Sequence, residues 1–299
     1  MQKKKIFFKS SFSKAEFELI KYKKDIFLKK KIDNPNLRDF KSILKNNDSI
    51  KELKIKNLKI SKIHIKNYKE LVKTKSFKSI YIDGYSADLI FLNSGVKEVL
   101  LIKNFLYDYF SFLKKKIIWI KIDQNIFLKK LDRIEKKIKI AELKIFFKKK
   151  KDIMKKKIKK ISIYPTGMCH GDLTLSNMIL KKDKIYLIDF LQTYNDSILQ
   201  DLSKVYQEFI LGWSSRQLSE QEKLRAQIIS KKLINKKFFN FFPKEILKHL
   251  HFETLMTLFR IFPYVKKDDK IKIKWLKNSV NSILKVEGLN KSIKKSKKI

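Results

Sequence analysis

At 299 residues the chain can bury a sizeable core, in one large domain or two lobes. It carries 72 basic and 30 acidic residues, a net charge of +42, yet only five of the basic residues are arginine (Arg38, Arg133, Arg216, Arg225 and Arg260). Nucleic-acid surfaces favour arginine for its planar, bidentate fork. Lysine with abundant isoleucine, asparagine and phenylalanine is what AT-rich codons encode, so much of the excess reads as codon bias. No specific nucleic-acid partner is expected, and weak contact with anionic surfaces is a by-product.

In chain order, Lys5–Ser10, Glu16–Tyr22 and Asp25–Ile32 read as three short strands joined by polar turns. Asn34-Pro-Asn then opens a helical stretch to about Lys59. Ile60–Tyr68 and Phe77–Ile82 alternate like strands, and Asp83-Gly-Tyr-Ser86 breaks the pattern. From there the pattern is helical. Val96–Lys116 has apolar residues near i, i+3, i+4 spacing, with Leu100, Phe105 and Phe112 on a core face. About 118–160 is lysine-dense with isoleucine and phenylalanine interleaved, which predicts one or two amphipathic helices. The lysine runs at 148–151 and 155–157 are solvated faces by default.

The most informative stretch is Met168–Phe190, MCHGDLTLSNMILKKDKIYLIDF. It holds His170-Gly-Asp172, Asn177 five residues after the aspartate, and Asp189 between Ile188 and Phe190. Met178–Leu180 pairs naturally with Ile185–Ile188 across Lys181–Lys184 as a hairpin. This order suits phosphoryl transfer. One carboxylate accepts a hydroxyl proton, while an amide and a second carboxylate hold Mg²⁺. An Asx-rich turn would account for Asp172 and Asn177 alone, but it explains neither their spacing nor a carboxylate closing an apolar strand.

At these residues the chain resembles the aminoglycoside phosphotransferase / choline kinase superfamily of small-molecule kinases, which share the protein-kinase-like fold. HGDLTLSNMI followed by LIDF is the family's catalytic loop and metal aspartate. Asn195–Lys204 and Thr257–Tyr264 look like a bacterial branch associated with surface-polysaccharide loci. The resemblance implies an α+β, bilobal fold: an N-lobe (1–83) with a small antiparallel sheet and one helix, and a mostly helical C-lobe (84–299). The C-lobe would carry the catalytic loop at 168–190 and the inserted helices at about 118–160. It implies Asp172 as catalytic base with His170 ordering the loop, Asn177 and Asp189 as metal ligands, and ATP and Mg²⁺ as cofactors.

Phe27–Ile32 would then carry the phosphate-binding lysine. Lys29 is the choice, sharing a face with Phe27; Lys31 shares that face too, and Lys30 is set aside only if this register holds. Glu52, the one glutamate of the following helix, is the partner expected for that lysine, unless it is a solvated helix residue. Asp83 marks the hinge where backbone groups would meet adenine. The turn Ser10–Lys14 stands where the phosphate-covering loop belongs and has no glycine, and the family's frequent glycine after Asp189-Phe190 is Leu191. Asp201 resembles the aspartate that braces the catalytic loop, and is also a helix N-terminal acid favoured by the dipole. His249 and His251, two apart, fall on different helix faces and are not expected to share a metal.

The activity implied is transfer of the γ-phosphoryl group of ATP to a hydroxyl of a small molecule: a sugar or glycan precursor, an amino alcohol or an aminoglycoside-like acceptor. The rival is a catalytically inactive kinase-like binding module. A single cysteine, Cys169, and no apolar run near the roughly 18 residues of a membrane span lead to the expectation of a cytoplasmic protein. The acceptor and the oligomeric state are not written in the residue pattern.

Overall fold

The computed structural model describes residues 3–4, 17–22, 25–32 and 34–296. The expected strand Lys5–Ser10 and the turn Ser10–Lys14 lie outside them. The chain forms two compact units, one of residues 1–90, 94–112 and 170–193, the other of 91–93, 113–169 and 194–299. Both units are discontinuous in sequence, whereas the expected lobes meet at one boundary, 83/84. The segment 170–193, expected in the C-lobe, belongs with the N-terminal sheets because its strands hydrogen-bond to theirs.

In chain order the first elements are β1 (Lys3–Lys4), β2 (Phe17–Tyr22), β3 (Asp25–Lys31), α1 (Leu37–Glu52), β4 (Leu58–Ile60), β5 (Ile63–His64), α2 (Tyr68–Thr74), β6 (Ser76–Ile80) and β7 (Tyr85–Ser86). They are followed by α3 (Ile90–Asn93), α4 (Val96–Lys114), β8 (Ile118–Lys121), α5 (Asn125–Lys137), α6 (Ala141–Ile158), β9 (Ile163–Thr166), β10 (Met178–Lys181) and β11 (Lys184–Leu187). The helices α7 (Ile198–Phe209), α8 (Glu220–Leu233), α9 (Lys236–Asn240), α10 (Lys244–Phe259) and α11 (Lys270–Ser296) complete the order.

The first unit holds two sheets. One is antiparallel in the order β1-β2-β3-β6-β5; the other runs β4-β11-β10-β7, with β11 parallel to β4 and antiparallel to β10. The β10–β11 hairpin forms as its alternation demands. Met178, Leu180, Ile185 and Leu187 are buried on one face, each worth about 1.5–3 kcal/mol of apolar burial, and Lys182 turns the chain at φ +55°.

The helix α1 starts at a capping box, with Asn36 accepting from the Asp39 N–H and Asp39 accepting from the Asn36 N–H. It is shorter than the expected stretch to Lys59, because Asn46 and Asn47 hydrogen-bond Ser61 and Ile63 and draw the following chain back extended. Ile43 joins Ile63, Leu71 and Phe77 in a small core. Between β5 and β6 the alternation gives no sign of α2, which Asn67 starts by accepting from the Glu70 N–H.

The second unit is mostly helical, with the β8–β9 ribbon as its sheet. Most of the lysine-dense stretch, residues 125–158, forms the two helices α5 and α6 as its pattern predicts, while its first residues, Ile118–Lys121, form the strand β8 instead. On α4, Phe105 is buried and Phe112 half-buried, but Leu100 is about half exposed, so it does not belong to the core face. The centre of the second unit is a buried carboxylate, Glu253. It accepts from the Tyr164 hydroxyl, from Tyr194 at 2.7 Å and from Gln200 Nε2 at 2.7 Å, while Arg260 holds Gln200 Oε1 at 3.1 Å. Phe127 sits against the rings of Tyr164, Tyr194 and Phe252 beside it. In sequence, Tyr164 stands six residues before His170 and Tyr194 five after Asp189.

Burial pushes Glu253 up to about 7 from 4.5, against the lowering effect of the two tyrosine hydroxyls. The folded state therefore binds the extra proton, and this group's stabilising contribution is present below about pH 4.5 and lost as pH rises through about 7. In urea unfolding across that window, wild-type stability should fall relative to Glu253→Gln as pH rises. A constant difference between the two proteins would contradict the assignment.

Candidate active site

The site is built on one unit, from β3, α1 and the segment that carries β10 and β11. His170 is fully buried and placed by three bonds. Its N–H donates to the Tyr109 hydroxyl at 3.1 Å, its Nδ1 accepts the Asp172 N–H at 3.2 Å, and its Nε2 meets the Ile188 carbonyl at 2.8 Å. An amide only donates and a carbonyl only accepts, so the imidazole is neutral with its proton on Nε2. Burial drives its pKa down to about 4, overriding the nearby Asp172 carboxylate. The ring also lies 4.2 Å from that of Phe190.

Asp172 and Asn177 are joined directly. Asn177 Nδ2 donates to the Asp172 carbonyl at 2.8 Å and to Asp172 Oδ2 at 3.1 Å, which leaves the amide oxygen as the atom suited to a cation. Asn177 is held in turn where its carbonyl accepts the Ile188 N–H at 3.1 Å, one residue before Asp189. Thus the hairpin fixes the spacing of all three polar residues. Asp189 itself sits at φ +57°, in the left-handed region a non-glycine residue seldom occupies. Its side chain is 47 % exposed.

Lys30 Nζ lies 3.0 and 3.2 Å from the two carboxylate oxygens of Asp189. Lys30, rather than the expected Lys29, is thus the β3 lysine that reaches Asp189. Side chains alternate along β3, and Phe27 turns its ring against His64, so the face shared by Phe27 and Lys29 is not the one that reaches Asp189. Lys29 instead pairs across the strand with Glu18 at 3.7 Å, and Lys31 is exposed. Glu52 is also not brought to the site: it is the exposed last residue of α1. The α1 residues that reach the loop after Asp189 are Arg38, Ser42 and Lys45, which the sequence reading missed. Their i, i+4, i+7 spacing was the available signal. Asp83 is exposed beside Gly84, whose place a Cβ could not share with the Leu180 carbonyl 2.4 Å away. Asp201 is fully buried in the first turn of α7, in the second unit. Cys169 is buried.

With this geometry established, the comparisons with known proteins agree on the fold. The model of the RIO domain, itself kinase-like, matches residues 119–201. No curated protein matches the chain. Among solved structures, the chain is similar to a thermostable mutant of aminoglycoside phosphotransferase APH(4)-Ia, at TM-score 0.59 and 8 % identity over 92 % of each chain. It is also similar to ADP-bound aminoglycoside phosphotransferase APH(2'')-Ib, at TM-score 0.53 and 14 % identity over 92 % of this chain and 91 % of that one. A putative fructosamine-3-kinase from Haemophilus somnus 129PT matches at TM-score 0.52 and 13 % identity, over 95 % and 91 %. The chain therefore has the α+β, protein-kinase-like fold, and the expected fold class is confirmed. Among the described residues no helix is long and apolar enough to cross a membrane.

Gly171 is the tightest backbone point of the site. Its φ is +86°, and a Cβ there would meet the Leu191 carbonyl at 2.3 Å and the Thr193 methyl at 2.7 Å. Gly171→Ala should cost about 2 kcal/mol or more, from the left-handed backbone and the clash together, read as a lowered urea midpoint. Unchanged stability would mean that the loop does not hold this conformation.

Proposed function

We propose that the chain is an ATP-dependent phosphotransferase that moves the γ-phosphoryl group to a hydroxyl of a small molecule. The observation that carries this reading is the convergence of His170, Asp172, Asn177, Asp189 and Lys30 on one unit, joined by direct hydrogen bonds. Asp172 is the base. The acceptor oxygen attacks the γ-phosphorus, its proton passes to the Asp172 carboxylate, and the bond to the departing ADP oxygen breaks. His170 touches no substrate in this reading; its neutral ring sets the distance from Asp172 to the Ile188–Asp189 peptide.

The donor set fits Mg²⁺, which prefers hard oxygen ligands: the half-exposed Asp189 carboxylate and the amide oxygen of Asn177 are the groups that would hold it. Bound there, the cation supplies charge neutralisation on the phosphate oxygens. Lys30 takes the phosphate role that the sequence reading gave to Lys29. Its ammonium group meets the Asp189 carboxylate at 3.0 Å. Backbone groups near Asp83 and Gly84 are the proposed adenine contact.

The acceptors under consideration are a sugar or glycan precursor, an amino alcohol and an aminoglycoside-like molecule. Solved proteins of this fold include aminoglycoside phosphotransferases and a putative fructosamine-3-kinase, and sugars stand first among the proposed acceptors. A cytoplasmic location, where ATP is supplied, goes with this reading.

The test is ATP turnover against a panel of hydroxylated acceptors. Asp172→Asn should lower kcat by about 10² to 10⁴ while nucleotide affinity stays within severalfold, since loss of a base removes transition-state rather than ground-state interactions. Retained turnover in this variant would overturn the role of Asp172. A wild type that binds Mg-ATP but transfers to no acceptor would favour the inactive binding module.

A further inference from the structure

In kinases of this fold the phosphate-binding lysine is held by a glutamate of the adjacent helix. In this chain α1 offers none. Its three acids are placed elsewhere: Asp39 closes the N-terminal capping box, Asp48 pairs with Lys51 at 3.3 Å, and Glu52 is exposed at the helix end. Lys30 is instead held by Asp189 itself.

What α1 does present to the site is a polar face of opposite character. Arg38, Ser42 and Lys45 lie four and three residues apart, on one side of the helix. Arg38 Nε donates to the Gln192 carbonyl at 3.2 Å, Ser42 Oγ accepts the Gln192 N–H at 2.9 Å, and Lys45 Nζ donates to the Leu191 carbonyl at 3.0 Å. Two consecutive peptide units, beginning two residues after Asp189, are thus fixed by one helix face. The bonds continue beyond them. The Leu191 N–H donates to the His170 carbonyl at 2.9 Å, so Lys45, Leu191 and His170 form a line from α1 to the catalytic loop. The charge of Lys45 is also felt at the His170 ring, where it helps to hold the imidazole neutral.

We propose that Lys45 is a positioning residue for phosphoryl transfer, replacing the missing lysine–glutamate pair by fixing the Asp189 loop through the Leu191 carbonyl. The inference rests on the phosphotransferase reading above. A half-buried ammonium group bonded to this carbonyl keeps Asp189 in its left-handed backbone conformation, with the carboxylate turned toward Lys30. With a carbonyl gripped from α1, the loop does not need the glycine whose usual place Leu191 takes. The helix acts here as a fixed strap on the metal-carboxylate loop.

The test compares wild type, Lys45→Met, Lys45→Arg and the control Lys41→Met, an exposed lysine one turn earlier on α1. Calorimetric titration with ADP over a range of Mg²⁺ concentrations reads the metal requirement for nucleotide binding, and urea unfolding reads stability. Lys45→Met should raise the Mg²⁺ concentration for half-maximal binding about tenfold or more, the scale of a hydrogen bond made by a charged group. Lys45→Arg, which still donates to a carbonyl, should return it to within about threefold, and Lys41→Met should leave it unchanged. Urea midpoints should not track these changes. A Lys45→Met protein with the wild-type Mg²⁺ requirement would overturn this inference alone. So would a weakening that arginine does not rescue and that follows loss of stability. A wild type that binds no nucleotide at any Mg²⁺ concentration would overturn both this inference and the functional reading beneath it.

Discussion

The hydrogen bond from His170 Nε2 to the Ile188 carbonyl decides where both carboxylates of the site stand. It is made by a fully buried ring, so it is expensive to lose. At one end the same imidazole takes the Asp172 N–H on Nδ1. At the other, Ile188 is the residue immediately before Asp189 and donates its own N–H to Asn177. Asp172, Asn177 and Asp189 are therefore placed by one ring and one hairpin. Protonation of the ring would set Nδ1–H against a backbone N–H, which is why burial and a depressed pKa accompany this arrangement. The contribution of neutral His170 is fully present above about pH 6.5 and is lost as pH falls toward about 4.

Around this core the chain distributes charge unevenly between function and background. With a net charge of +42, most lysines are solvated and say little. Two on the first unit differ in kind. Lys30 meets a carboxylate at 3.0 Å, and Lys45 meets a carbonyl of the same loop at 3.0 Å. The second unit holds a buried carboxylate, Glu253, hydrogen-bonded by the Tyr164 and Tyr194 hydroxyls. His170 and Glu253 shift in opposite directions for the same reason: burial disfavours the charged form of each. Their opposite pH contributions narrow the range in which both are satisfied.

The catalytic segment was legible in the sequence because its signals are local. Spacing within H-x-D-x-x-x-x-N, an apolar hairpin and a terminal aspartate all lie within 168–190, and the hairpin register follows from alternation alone. The kinase-like fold class followed from that segment. That Lys30 rather than Lys29 meets Asp189 was not legible, because a period-2 strand can be placed on either face with equal regularity and Asp189 is far away in sequence. The exposed position of Glu52 was hidden for a related reason: helix membership does not tell which face a residue occupies. Arg38, Ser42 and Lys45 were invisible as a group until Leu191 and Gln192 were placed against them. The short helix α2 was masked by flanking strands, and the discontinuous division of the chain by the pairing of β11 with β4, a contact across more than a hundred residues.

The central claim, that Asp172, Asn177 and Asp189 form a metal-assisted nucleotide site, is tested most directly by thermal unfolding with ATP, with and without Mg²⁺, for wild type and Asp189→Ala. Ligand at about 100 times its dissociation constant adds roughly 2.7 kcal/mol of stability, readily seen as a raised melting temperature. The account predicts a Mg²⁺-dependent rise in wild type that is absent from Asp189→Ala. No rise in wild type at millimolar Mg-ATP, or an equal rise in the variant, would contradict it.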